Sequence, residues 1–138
     1  MTTTTISGLR NGIATNLATI SGLRTSATVP DNPNPPIAVV LPTGITYDLA
    51  FSRAADEYFF TVIVIVGRVD ERTAQDRLDG YCNPTGSTSI KAALESDTTL
   101  GGYAYDCRVT EMRNYQQLVL GDGVTYLAAE FVVRVIAE

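Results

Sequence analysis

The chain has 138 residues, 45% apolar and only 18% charged, with a formal net charge of −5 and no histidine. That length fits one domain, able to bury a core without disulfide or metal staples. Nine arginines and one lysine are scattered without a basic run, which argues against a nucleic-acid-binding module; without histidine, no Ser-His-Asp or Cys-His system can be built.

Met1 to Thr5 lacks the basic start and apolar core of a secretory signal and is expected to fray. Ile6, Leu9, Ile13, Leu17 and Ile20 then follow helical spacing and form one apolar stripe. Ser7, Gly8 and Gly12 lower intrinsic helix propensity, so this helix depends on packing. Ile-Ser-Gly-Leu-Arg occurs at Ile6–Arg10 and again at Ile20–Arg24, which reads as one helix with a similar exit rather than a repeat protein. Thr25 to Pro36 holds Pro30, Pro33, Pro35 and Pro36, so it reads as an extended connector within the single domain.

Ile37 to Leu41 reads as a strand and Pro42-Thr43-Gly44 as a turn. Ile45, Tyr47, Leu49 and Phe51 alternate with polar or small residues, which predicts a second, half-buried strand. Ser52 to Glu57 reads as a polar connection. Tyr58 to Val66 is apolar on both faces and rich in aromatic and β-branched residues, which predicts a strand in mid-sheet. The run is too short for a membrane-spanning helix, which needs ~20 residues, so a soluble chain made in the cytoplasm is expected.

Asp70 is the expected cap of a helix that shares Ala74, Leu78, Tyr81 and Cys82 on one face. Ser87 is the expected cap of the next, with Ile90, Ala93 and Leu94 inward. Strands follow from Tyr103 to about Leu120 and from Thr125 to Ile136, joined through Gly121-Asp122-Gly123, a hairpin signal. In the last strand Leu127, Ala129, Phe131, Val133 and Val135 make an apolar face, while Glu130 and Arg134 interrupt the other. The expected fold class is α+β: a mainly antiparallel sheet, with an N-terminal helix and a two-helix insertion packed on one side, and a terminal β-hairpin. The Pro-rich connector and the Gly121–Gly123 tip are expected to be its most mobile parts.

No residue cluster reads as catalytic. Ser87 lies four residues before Lys91, but a capping serine and a lysine paired with Glu95 explain both. Asp70, Glu71, Asp76 and Asp79 are interleaved with Arg72 and Arg77, which reads as a solvated helix face rather than a calcium site. Asp31-Asn32-Pro33-Asn34 lacks the ligand spacing of an EF-hand. Cys82 and Cys107 have no Cys-x-x-Cys context and read as reduced, partly buried thiols. Tyr103 and Tyr105 share one face of a predicted strand; without a cationic groove they read as core or protein-interface residues.

Several of these segments together resemble the tail-terminator proteins of long-tailed (siphovirus-like) bacteriophages, especially phages of actinobacteria. The resemblance rests on the apolar strand ending Val66-Gly67-Arg68 and the Ala74…Leu78…Tyr81 helix. It continues through the Asn83-Pro84-Thr85-Gly86 link, Ser89-Ile90-Lys91-Ala92-Ala93-Leu94-Glu95 and Leu100-Gly101-Gly102. It implies a virion structural protein, not an enzyme, with no cofactor, no metal and no active site. It implies a ring, usually hexameric, that caps the tail tube, ends tube polymerisation and meets the head-completion or neck proteins. DNA would pass through the bore without specific binding, in an assembly made in the host cytoplasm and carried in the virion tail or neck. A ring needs two patches that meet head to tail. The expected ones are the strand surface with Glu130 and Arg134, and the charged loop with Arg53, Asp56 and Glu57. The alternatives are another neck component (head-closure, adaptor or minor tail protein) and, from a different class, a small-ligand-binding α+β domain.

Overall fold

The computed structural model describes residues 5–20, 23–26, 37–47, 56–68, 74–102, 104–119 and 125–137. Among them a five-stranded sheet runs in the order β1 (Arg24–Ser26), β2 (Ile37–Thr46), β3 (Asp56–Arg68), β5 (Thr125–Ala137), β4 (Asp106–Val119). β1 lies parallel to β2, and the other neighbours pair antiparallel. Three α-helices, α1 (Ile6–Leu17), α2 (Ala74–Cys82) and α3 (Ile90–Leu94), and a 3₁₀ turn at Leu100–Gly102 complete the described elements. This is the α+β architecture read from the sequence.

The apolar stripe of α1 buries Leu9, Ile13 and Leu17, with Ile20 just beyond the helix. Ile6, on the same predicted stripe, is 38% exposed, because it lies in the first turn, at the edge of the packed surface. Thr5 caps α1: its side chain accepts a hydrogen bond from the Gly8 N–H at 2.9 Å. Thr25 and Ser26, expected in the connector, belong to β1; they precede the first proline, so their N–H groups are free to join the ladder with β2. The rest of the connector, Asp31–Asn34 included, lies outside the described residues, as do Met1–Thr4, Asp70–Arg72, Tyr103 and the Gly121–Gly123 turn.

The expected turn at Pro42-Thr43-Gly44 is instead part of β2, which continues to Thr46 with a register shift between Pro42 and Gly44. β1 covers only Ile37–Val39, so Pro42 sits where β2 has become an edge; a bulge on an edge strand is where a sheet accepts a residue without an N–H. Tyr47, expected on a half-buried strand, lies past the end of β2 and is 68% exposed. Asp56 and Glu57 open β3 rather than forming a loop. β3 occupies mid-sheet between β2 and β5, as its two apolar faces require.

The helices all contribute to one core. Tyr58, Phe60, Val62, Val64 and Val66 from β3, and Ala129, Phe131, Val133 and Val135 from β5, meet Leu9, Ile13, Leu17, Leu78, Ile90 and Leu94 there. The opposite sheet face carries a smaller apolar cluster of Ile37, Ile65, Tyr126 and Ala128, with Ile63 packed against it. That face is the one on which the charged strand residues stand.

Candidate interface

Side chains alternate across a strand, so the register lays out the face opposite the helices. β3 presents Glu57, Phe59, Thr61, Ile63 and Ile65. β5 sets Ile136, Arg134, Val132, Glu130 and Ala128 directly opposite them. β4 adds Asp106, Arg108, Glu111 and Arg113, opposite Ile136, Arg134, Val132 and Glu130. Apart from Glu57 the face is therefore without charge over β3, mixed over β5 and charged over β4, where the sign alternates.

One juxtaposition is unfavourable: Arg108 stands directly opposite Arg134. Each turns to a carboxylate. Arg108 Nε lies 3.5 Å from Asp106 Oδ2, and Arg134 Nε donates to Glu57 Oε2 across two strands. Glu130 accepts from Asn114 Nδ2 at 2.8 Å, and Arg113 lies 3.9 Å from Glu111. Asn114 is held at φ 54°, a conformation asparagine tolerates, inside the β4 irregularity between Arg113 and Gln116.

The sequence placed Asp56 and Glu57 on one patch and Glu130 and Arg134 on another. The structure joins Glu57, Glu130 and Arg134 on a single surface, with Glu57 and Arg134 already paired within the chain, while the same alternation sets Asp56 on the opposite, helix-side face with Tyr58. Asp56 also has a partner, and Arg53 lies outside the described residues. Two-residue alternation, followed across the register, is the signal that unites them.

On the helix side, the cap of α3 is Ser89, not Ser87. Ser89 Oγ accepts from the Ala92 N–H at 3.1 Å and donates to the Asn83 carbonyl at 2.5 Å. Ser89 is buried while Ser87 is exposed, because the helix begins only at Ile90. Lys91 pairs with Glu95 at 2.6 Å, as the spacing predicted. Glu95 also accepts the N–H of Val109 at 3.0 Å, so a carboxylate from α3 caps an outward-facing group on β4. Burial opposes ionisation of Glu95, but the Lys91 and Val109 hydrogen bonds, with the charges of Lys91 and Arg108, hold its carboxyl below the ordinary range.

The two cysteines are not bonded to each other. Burial, reinforced by Asp79, pushes the Cys82 thiol up to about 11. Burial, with Asp106, Glu95 and Asp97 nearby, pushes Cys107 up to about 12. Tyr115 donates to Asp79 at 2.8 Å, and burial together with that carboxylate pushes its phenol up to about 12.

Two open grooves are present. One, of about 210 Å³, lies between α1 and the 3₁₀ turn, lined by Asn11, Gly12, Asn16 and Leu100 among others. The second, of about 290 Å³, lies between the α2–α3 link and β4, lined by Cys82, Pro84, Lys91, Val109, Met112 and Phe131 among others. Both fall below the roughly 300–1,000 Å³ of ordinary ligand pockets. Among the described residues no group of three or more Cys, Asp or Glu is placed to hold a metal ion. No helix there is long and apolar enough to cross a membrane. No family model matches the chain, and no curated protein matches it.

Proposed function

We propose that this chain is a virion structural protein: a subunit of a ring that caps a phage tail tube, ends its polymerisation and joins the tail to the head or neck. The observation that carries this reading is the sheet face on which no helix packs among the described residues. On it Glu57 is paired with Arg134 and Glu130 accepts from Asn114, beside the half-buried Phe59, Ile63, Val132 and Ile136, while Ile37, Ile65, Tyr126 and Ala128 are already buried within the chain. Paired charges beside half-buried apolar side chains suit protein partners, because opposite charges set register and exclude wrong partners. The order of elements, N-terminal helix, strands, helical insertion and terminal strand pair, also fits the tail-terminator resemblance.

The two expected ring patches become one in this reading. The Glu57–Arg134 face meets a different surface of the next subunit, head to tail, so the contact closes into a ring. A charge of −5 on each subunit accumulates around such a ring, so DNA in the bore is repelled rather than bound. The test is electron microscopy of the protein mixed with its tail-tube protein. Symmetric rings seated on tube ends support the proposal; tubes whose ends stay bare refute it.

A further inference from the structure

β4 is the outermost strand of the sheet, so one side of its backbone has no neighbouring strand among the described residues. An open strand edge is a template for another strand unless it is blocked. At Val109 it is blocked: the N–H points off the sheet and is taken by Glu95 at 3.0 Å. Beyond Val109 the pattern changes. Thr110 to Asn114 are all exposed, and Met112, at 40%, is among the few large apolar side chains left in solvent.

The phase of the strand says which groups face outward. Val109 stands opposite Val133, and Met112 opposite Phe131, two residues further along β5. Hydrogen-bonding direction repeats every two residues along a strand. Met112 therefore turns its N–H and C=O off the edge, as Val109 does, but among the described residues no carboxylate is placed to cap them. Glu111 and Arg113 flank it on the opposite face of the sheet, both more than half exposed. The segment Glu111-Met112-Arg113 reads the same, with signs exchanged, in either direction.

We propose that two copies of the chain pair antiparallel along this edge, across a two-fold axis at Met112. The two Met112 residues then exchange a pair of backbone hydrogen bonds. Glu111 of each copy stands opposite Arg113 of the other, twice over. On the helix side each methionine meets its counterpart beside the groove of Cys82, Pro84 and Phe131. The same charges also match in a register centred between Val109 and Thr110, but there Glu95 already occupies the outward N–H. The irregularities on either side of the segment, between Val109 and Glu111 and between Arg113 and Gln116, confine regular pairing to these residues. The contact is isologous and stops at two copies, so it is separate from the head-to-tail ring contact and stands whether or not that reading holds.

The experiment is light scattering and sedimentation of the full chain across a concentration series, for the wild type, E111R and the double exchange E111R/R113E. The wild type is expected to show a monomer–dimer equilibrium. E111R sets like charges opposite each other at both crossings and weakens the dimer by about tenfold or more. The double exchange restores opposite charges and brings back the wild-type affinity, while circular dichroism shows all three folded alike. A wild type that stays monomeric at every concentration overturns the proposal. So does any assembly that E111R leaves as tight as before, or a loss that the double exchange does not repair.

Discussion

Gly12 sits in the middle of α1, where replacing glycine with alanine ordinarily stabilises a helix by about 1 kcal/mol. Here the added Cβ would lie 2.7 Å from Leu100 Cβ and 2.9 Å from the Leu100 carbonyl oxygen. Leu100 cannot readily move: it is 1% exposed and held at φ 50°, a conformation leucine adopts only at a cost. Gly12→Ala is therefore expected to destabilise the fold by about 1–3 kcal/mol in urea unfolding, the range for overpacking. Gly80→Ala, whose Cβ meets only the Thr88 hydroxyl at 3.1 Å, should stay close to wild type. Read as sequence, Gly12 is only a weakness in a helix; its reason is a contact with a residue 88 positions away, which no local pattern contains. The thiols give a second residue-scale test. With Cys82 raised to about 11 and Cys107 to about 12, both are protonated at pH 8 and poor nucleophiles. A thiol reagent should modify the folded protein slowly and both cysteines rapidly in denaturant. Fast labelling of Cys107 in the native state would contradict its burial.

At the scale of elements, α3 is only five residues long and depends on its attachments. Ser89→Ala removes the cap and the bond to Asn83, and should cost about 0.5–2 kcal/mol. Ser87→Ala should cost almost nothing; equal losses at the two positions would restore Ser87 as the cap. At the other end of α3, the Glu95 pKa is lowered, so folding gains from its ionisation above the ordinary value of 4.5 and loses that gain as pH falls through the depressed value. Glu95→Gln should accordingly be less stable than wild type at neutral pH, with the gap narrowing in acid. A gap that persists unchanged at pH 2 would assign the loss to packing instead. The inward faces of β3, β5 and α3 were legible because alternation and helical spacing depend on the residues of one segment alone. β1, the long β2 and the true start of α3 were not. Each is decided by a partner: the β2 edge that Thr25 and Ser26 join, the free edge that admits Pro42, and the Asn83 carbonyl that holds Ser89.

For the whole molecule, the separation of its two sheet faces is what connects the fold to the proposed function. One face is filled by α1, α2 and α3; the other holds the Glu57–Arg134 pair beside a small buried apolar cluster. The charged residues of that face were all visible in the sequence, but their grouping was not. Glu57 and Arg134 are 77 positions apart and meet only because β3 and β5 are neighbours. The proposed assembly role rests on this face being offered to other proteins at the end of a polymer. The most direct measurement is tube length: tail-tube protein is set polymerising, this chain is added part-way, and lengths are followed by electron microscopy. The account predicts that lengths stop increasing at the moment of addition, and that Arg134→Glu, which sets two carboxylates together at Glu57, loses this effect while remaining folded. Tubes that lengthen at the same rate with and without the protein would contradict it.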